Sequence, residues 1–106
     1  MPDFTSLMKQ AAELQAKMEA LQAELDRIEV EGSAGGGAVT VKLTAKTELK
    51  SVAIDASLLK PGDKEIVEDL LVAAHADARR KAEALLQEKM QQLTGGLPLP
   101  PGMKLF

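Results

Sequence analysis

Gly32-Ser33-Ala34-Gly35-Gly36-Gly37-Ala38-Val39-Thr40-Val41-Lys42-Leu43-Thr44-Ala45-Lys46-Thr47-Glu48-Leu49-Lys50-Ser51-Val52-Ala53-Ile54 is an island of β signal between two long helical runs. Its opening, Gly32 to Gly37, holds too many glycines for a helix interior and suits a tight reversal. Val39, Val41 and Leu43 then alternate with Thr40, Lys42 and Thr44, the period of a half-buried strand. A second strand is expected from about Glu48 to Ile54, with Val52 and Ile54 on one face. Leu49 is out of phase with that pair, which predicts either a bulge or apolar contact on both faces. Ile28 and Val30 mark a further strand directly where the first helix ends. So small a sheet is marginal alone: its apolar face needs a cover, and its free edge invites a second copy.

Upstream, Phe4, Leu7, Ala11, Leu14, Met18, Leu21, Leu25 and Ile28 follow one another at spacings of three and four, a heptad seam by which one helix grips another. Asp3 is positioned to cap this helix, and Pro2 discourages an earlier start. Downstream, a run from about Lys64 to about Leu93, with Asp63 as its expected cap, carries an apolar lane through Val67, Leu71, Ala74, Ala78, Ala82, Leu86, Met90 and Leu93. The alanines in its middle allow close approach, and the simplest pairing sets the leucine seam against this lane with the sheet at the base. Rods of roughly 37 and 45 Å do not fit inside a globule with a radius of gyration of about 13 Å. They must protrude or pair with a second subunit.

The chain of 106 residues is 45% hydrophobic and 27% charged, the composition of one soluble-type domain. No apolar run approaches the roughly 20 residues of a membrane span, and the first residues lack a basic region followed by an apolar core, so neither insertion nor secretion is expected. The absence of cysteine excludes thiolate chemistry and fits a cytoplasmic setting. His75 is the single histidine and has no nucleophile at a recognisable spacing, so it reads as a helix-surface or interface residue. The glycine cluster opens a strand and lacks a following Lys-Ser/Thr pair, unlike a phosphate-cradling loop. No enzyme, metal or cofactor is expected.

Charge is unevenly distributed within the net −3: residues 1–31 hold three basic and seven acidic side chains, 32–60 four and two, 61–106 six and seven. Arg79, Arg80 and Lys81 form a run, and an antiparallel arm would place Lys9, Lys17 and Lys89 on the same outer half. Such runs are either solvated faces or phosphate contacts. Only Phe4 and Phe106 are aromatic, so stacking platforms for single strands or RNA bases are missing. No helix-turn-helix, zinc-finger or basic-zipper spacing is present. Any nucleic-acid binding should therefore engage duplex DNA through backbone charge and shape.

The run Leu7-Met8-Lys9-Gln10-Ala11 with Gln15 and Met18, then Val30-Glu31-Gly32 and the glycine turn, Ile54-Asp55 with Ser57-Leu58-Leu59, the Ala73-Ala74 and Asp77-Ala78 pairs, and finally Gly95-Gly96 and Leu99-Pro100-Pro101-Gly102 together resemble the YbaB/EbfC family of bacterial nucleoid-associated proteins. The resemblance covers nearly the whole chain. It implies an α+β fold in which two long helices flank a small antiparallel sheet of about three strands, in α-β-β-β-α order with a possible short helix near 57–60. It also implies a tweezer-like homodimer in the cytoplasm and nucleoid that binds double-stranded DNA and serves nucleoid organisation and gene regulation. Carried over residue by residue, its DNA contacts would be Lys9, Lys17, Arg79, Arg80, Lys81 and Lys89. Relatives often have Asn-Gly between the last two strands where this chain has Ala45-Lys46, so a different loop from the two-residue type is expected. Ala76 stands where relatives often have asparagine.

The domain should occupy residues 1–94, followed by a Pro/Gly-rich tail, 95–106, in which Leu97-Pro98-Leu99-Pro100-Pro101-Gly102 cannot continue a helix. The tail reads as extended, with disorder and docking along the arm or on a partner both open. Neither a membrane nor a small-molecule substrate is expected as partner. The alternative to a DNA-binding homodimer is a coiled-coil-like dimeric adaptor that engages another protein through its arms.

Overall fold

The computed structural model describes residues 3–93, in the order α1 (Phe4–Arg27), β1 (Glu29–Ala34), β2 (Val39–Thr44), β3 (Leu49–Ile54), two 3₁₀ turns (Ala56–Leu58 and Pro61–Asp63) and α2 (Lys64–Leu93). The α+β class and the α-β-β-β-α order are those expected. Residue 94 and the tail 95–106 lie outside the described residues, as does Pro2. Asp3 caps α1 from an extended backbone, its carboxylate accepting from the Ser6 amide at 2.7 Å. The short helix expected near 57–60 is the turn Ala56–Leu58, opened by Asp55, which accepts from the Ser57 amide at 2.9 Å. Asp63, expected to cap the second helix, instead ends the turn that runs straight into α2.

The sheet is antiparallel with order β1-β2-β3. Its first reversal is narrower than the glycine cluster suggested. Gly32, Ser33 and Ala34 belong to β1, paired with Val41, Thr40 and Val39, and the chain turns only through Gly35, Gly36 and Gly37, with φ of 65°, 66° and 93°. Three successive left-handed residues explain why three successive glycines stand there. The phase slip at Leu49 is a bulge: the register shifts between Lys42 and Leu43, so that Leu43 faces Leu49 while Val41 faces Val52. The second hairpin closes on the Thr44 amide donating to the Glu48 carbonyl at 2.8 Å, around Ala45, Lys46 and Thr47. Thr47 takes the left-handed position of that three-residue loop, with φ of 70°.

Val39, Val41 and Leu43 are fully buried against Ala74 and Ala78 of α2. The alanine lane, expected to meet the leucine seam of the first helix, receives the sheet instead. Gly32 is the reason: a Cβ at this position would sit 2.2 Å from the Ala78 nitrogen and 2.3 Å from the Ala74 oxygen, so the β1 backbone lies directly on the helix. The seam is left with the outer half of α2. There Leu21 and Leu25 pack with Met90 and Ala45, flanked by Leu85, Leu86 and Leu93. The rods do protrude: the radius of gyration is 19.3 Å and the longest dimension 70 Å.

Helix α2 also holds the outer strand by its side chains. The Ser33 amide donates to Asp77 Oδ2 at 3.1 Å, and Lys81 Nζ donates to the Glu31 carbonyl at 2.9 Å. Lys81 closes the clasp at 3.2 Å from Asp77 Oδ2. The Ser33 amide above all, then Lys81 and Arg80, hold the Asp77 carboxyl below its ordinary pKa.

Two outcomes follow from this packing. Gly32→Ala should destabilise the fold by about 3 kcal/mol or more, since the methyl group meets backbone atoms that cannot swing aside, whereas Gly62→Ala, with open space around it, should change the melting temperature little. Because the folded pKa of Asp77 is depressed, its contribution to stability is present above the unfolded value of about 3.9 and is lost as pH falls through the lower folded value. Thermal melts of wild type and Asp77→Asn should therefore differ at neutral pH and converge in acid; a gap that persists below both pKa values would refute the clasp.

Candidate nucleic-acid interface

The six basic residues singled out from the sequence occupy three different settings. Arg79 and Arg80 stand on the exposed side of α2, with 63% and 70% of their side-chain surface in solvent. Arg79 Nε meets Glu83 Oε1 at 2.9 Å, one turn on, and Arg80 Nη2 meets Asp77 Oδ1 at 3.5 Å, one turn back. Exposed pairs of this kind contribute about 0–1 kcal/mol. A phosphate can displace such a partner at small cost.

Lys81 and Lys89 are held more firmly. Lys81 secures β1 through the Glu31 carbonyl and Asp77. Lys89 Nζ reaches across the arm to Glu24 Oε1 at 2.7 Å, tying α2 to α1 with a side chain that is three-quarters buried. Both therefore have architectural work that sequence spacing did not reveal, because their partners lie 50 and 65 positions away in the chain.

Lys9 and Lys17 on α1 are exposed, and among the described residues neither has an acidic partner within ion-pair distance. Lys17 borders a groove between the two helices that it shares with Leu21, Glu24, Lys89 and Leu93. From Arg79 up α2 to Lys89, then across to Glu24 and along α1 to Lys9, the six cations span roughly 35 Å at 1.5 Å per residue. They are strung out from the turn of α2 beside β1 to the outer arm, with Asp77, Glu83 and Glu24 between them, and do not form a single patch. That length corresponds to about ten base pairs of duplex at 3.4 Å per step.

Residues outside the sequence-based set share the exposed cationic surface. Lys42 projects from the sheet face opposite α2, directly across from Glu31, and Lys60 and Lys64 bracket the second 3₁₀ turn. Their only sequence signal was charge. The opposite end of the sheet is apolar: Val41, Leu49 and Val52 face Leu71, Val72 and His75 across a cavity of about 300 Å³. His75 thus sits on the rim of an apolar groove, consistent with a surface or interface role. Among the described residues, no three His, Cys, Asp or Glu side chains converge as metal ligands, and no helix is long and apolar enough to cross a membrane.

The chain matches known proteins along nearly its whole length. A protein called "Nucleoid-associated protein" from Rhodopseudomonas palustris (strain BisB5) is 68% identical over 105 residues, 99% of either chain. One of the same name from Nitrobacter hamburgensis is 63% identical, also over 105 residues and 99% of either chain. The crystal structure of an uncharacterized protein from Helicobacter pylori superposes with a TM-score of 0.79 at 26% identity, covering 88% of this chain and 98% of that one. With the profile of the YbaB/EbfC DNA-binding family matching residues 1–97 as well, the chain belongs to that family, which is one of nucleoid-associated DNA-binding proteins and not of enzymes.

Proposed function

We propose that the protein acts as a homodimer that grips double-stranded DNA by backbone contacts from its helical arms, in the cytoplasm and on the nucleoid, contributing to nucleoid organisation and gene regulation. The observation that carries this reading is the file of cations from the turn of α2 beside β1 to the outer arm of an otherwise acidic chain, in a member of a DNA-binding family. Phosphate contact through such a file positions a protein on the duplex without reading bases. The ion pairs divide the labour: Arg79, Arg80, Lys9 and Lys17 are available to phosphates, whereas Lys81 and Lys89 contribute charge from fixed positions.

The case for pairing comes from the sheet. Asp77 and Lys81 occupy backbone groups of β1, while β3 is an edge strand with no strand beside it on its outer side among the described residues. Leu49 and Val52 on β3 and Val72 on α2 leave 55%, 40% and 71% of their surface exposed around the apolar groove. A two-fold axis would bring this patch against itself, burying in the dimer what the single chain leaves in water. The same axis would set two arms side by side.

Duplex binding measured across salt should fall with a log–log slope between about −3.5 and −5 per engaged subunit, for four to six phosphate contacts. Arg79→Ala with Arg80→Ala should flatten that slope by about 2 and leave the melting temperature unchanged, whereas Lys81→Ala should lower the melting temperature as well. Binding that is insensitive to salt would count against the reading. Val72→Asp should yield monomers by solution mass and weaken duplex binding; an unchanged mass would move the pairing surface elsewhere.

A further inference from the structure

The apolar seam of α1 is covered only in part. Leu21 and Leu25 are buried against α2, but Phe4, Leu7 and Leu14 are half or more exposed, as is Met8 beside them. Within the described residues α2 ends at Leu93, in the groove it shares with Lys17, Ala20 and Leu21. From that level outward α1 continues for about thirteen residues, roughly 20 Å, with its apolar face in water. A contiguous stripe of this kind marks a surface that something covers.

The described part of α2 ends at the inner end of this stripe. Beyond Leu93 the chain has thirteen more residues, among them Leu97, Leu99, Met103, Leu105 and Phe106. At about 3.1 Å per residue in extended form they reach about 40 Å, twice the length of the stripe, which leaves Gly95 and Gly96 free to make a turn. Pro98, Pro100 and Pro101 disfavour helix and favour extended backbone, which lowers the conformational freedom that residues 97–101 lose on docking. Lys104 is the single charged side chain in the segment.

We infer that the tail docks in extended form on the outer half of α1 in the same chain, laying Leu97 and Leu99 over Leu14 and Ala11 and the residues that follow, to about Met103, over Leu7 and Phe4. The tail then completes the arm by covering the part of the seam that α2 leaves bare. Lys9 lies about 200° around the helix from Leu7, so the docked tail leaves it open to phosphate. This inference concerns the protein alone and stands or falls without DNA.

Hydrogen exchange of the full-length protein, read by mass spectrometry without DNA, tests it. In Leu97→Asp/Leu99→Asp, amides of residues 5–16 should exchange at least about tenfold faster than in wild type, with those of residues 70–82 unchanged. Equal exchange in the two proteins would overturn the inference. A second variant tests which chain supplies the tail. The native sequence has no cysteine, so oxidised Ala11→Cys/Leu99→Cys should gain a bond within one chain; a bond joining two chains would assign the cover to a second copy and overturn docking in cis.

Discussion

The structure depends on the contact between the backbone of Gly32 and the alanines at 74 and 78 of α2. A strand can rest on a helix at this distance only if neither side presents more than a methyl group, and here one side presents none. That approach puts the sheet against the inner half of the long helix, where Val39, Val41 and Leu43 close the core. Once the sheet has taken this position, only the outer half of α2 remains for α1. An extended arm and not a closed globule is the result.

The two edges of the sheet are treated unequally, and this gives the molecule a direction. On β1, Asp77 and Lys81 satisfy backbone groups that could otherwise pair with a foreign strand. On β3 no such guard is found among the described residues, and apolar side chains gather beside it. Addition at one edge only leads to a pair, while addition at both would lead to an open chain. The residues that guard β1 belong to the same helical turns as the basic run Arg79–Lys81, so the closing of this edge and the presentation of charge share a few residues of α2.

Most of the architecture was legible from local periodicity. Alternation at Val39, Val41 and Leu43, the phase slip at Leu49 and the cap at Asp3 each depend on neighbours in sequence, and each is found in the structure. What escaped was which surface fills the alanine lane, because small residues permit close approach by a strand or a helix alike. Gly32 held the answer, but among the four glycines between 32 and 37 it looked like part of a turn. The basic residues were equally visible, yet their tasks were not: the bonds of Lys81 to Glu31 and Lys89 to Glu24 join positions far apart in the chain. Charge is a local property, and its employment is a tertiary one.

The core is divided into two clusters, one of sheet residues with Ala74 and Ala78, the other of Leu21, Leu25, Ala45 and Met90. Among the described residues, α2 alone contributes side chains to both. The molecule therefore has a stiff platform and a separately packed limb, and the limb can flex or fray at its own small free energy while the platform stays intact. A limb of that kind conforms to a curved rod more readily than a rigid jaw does.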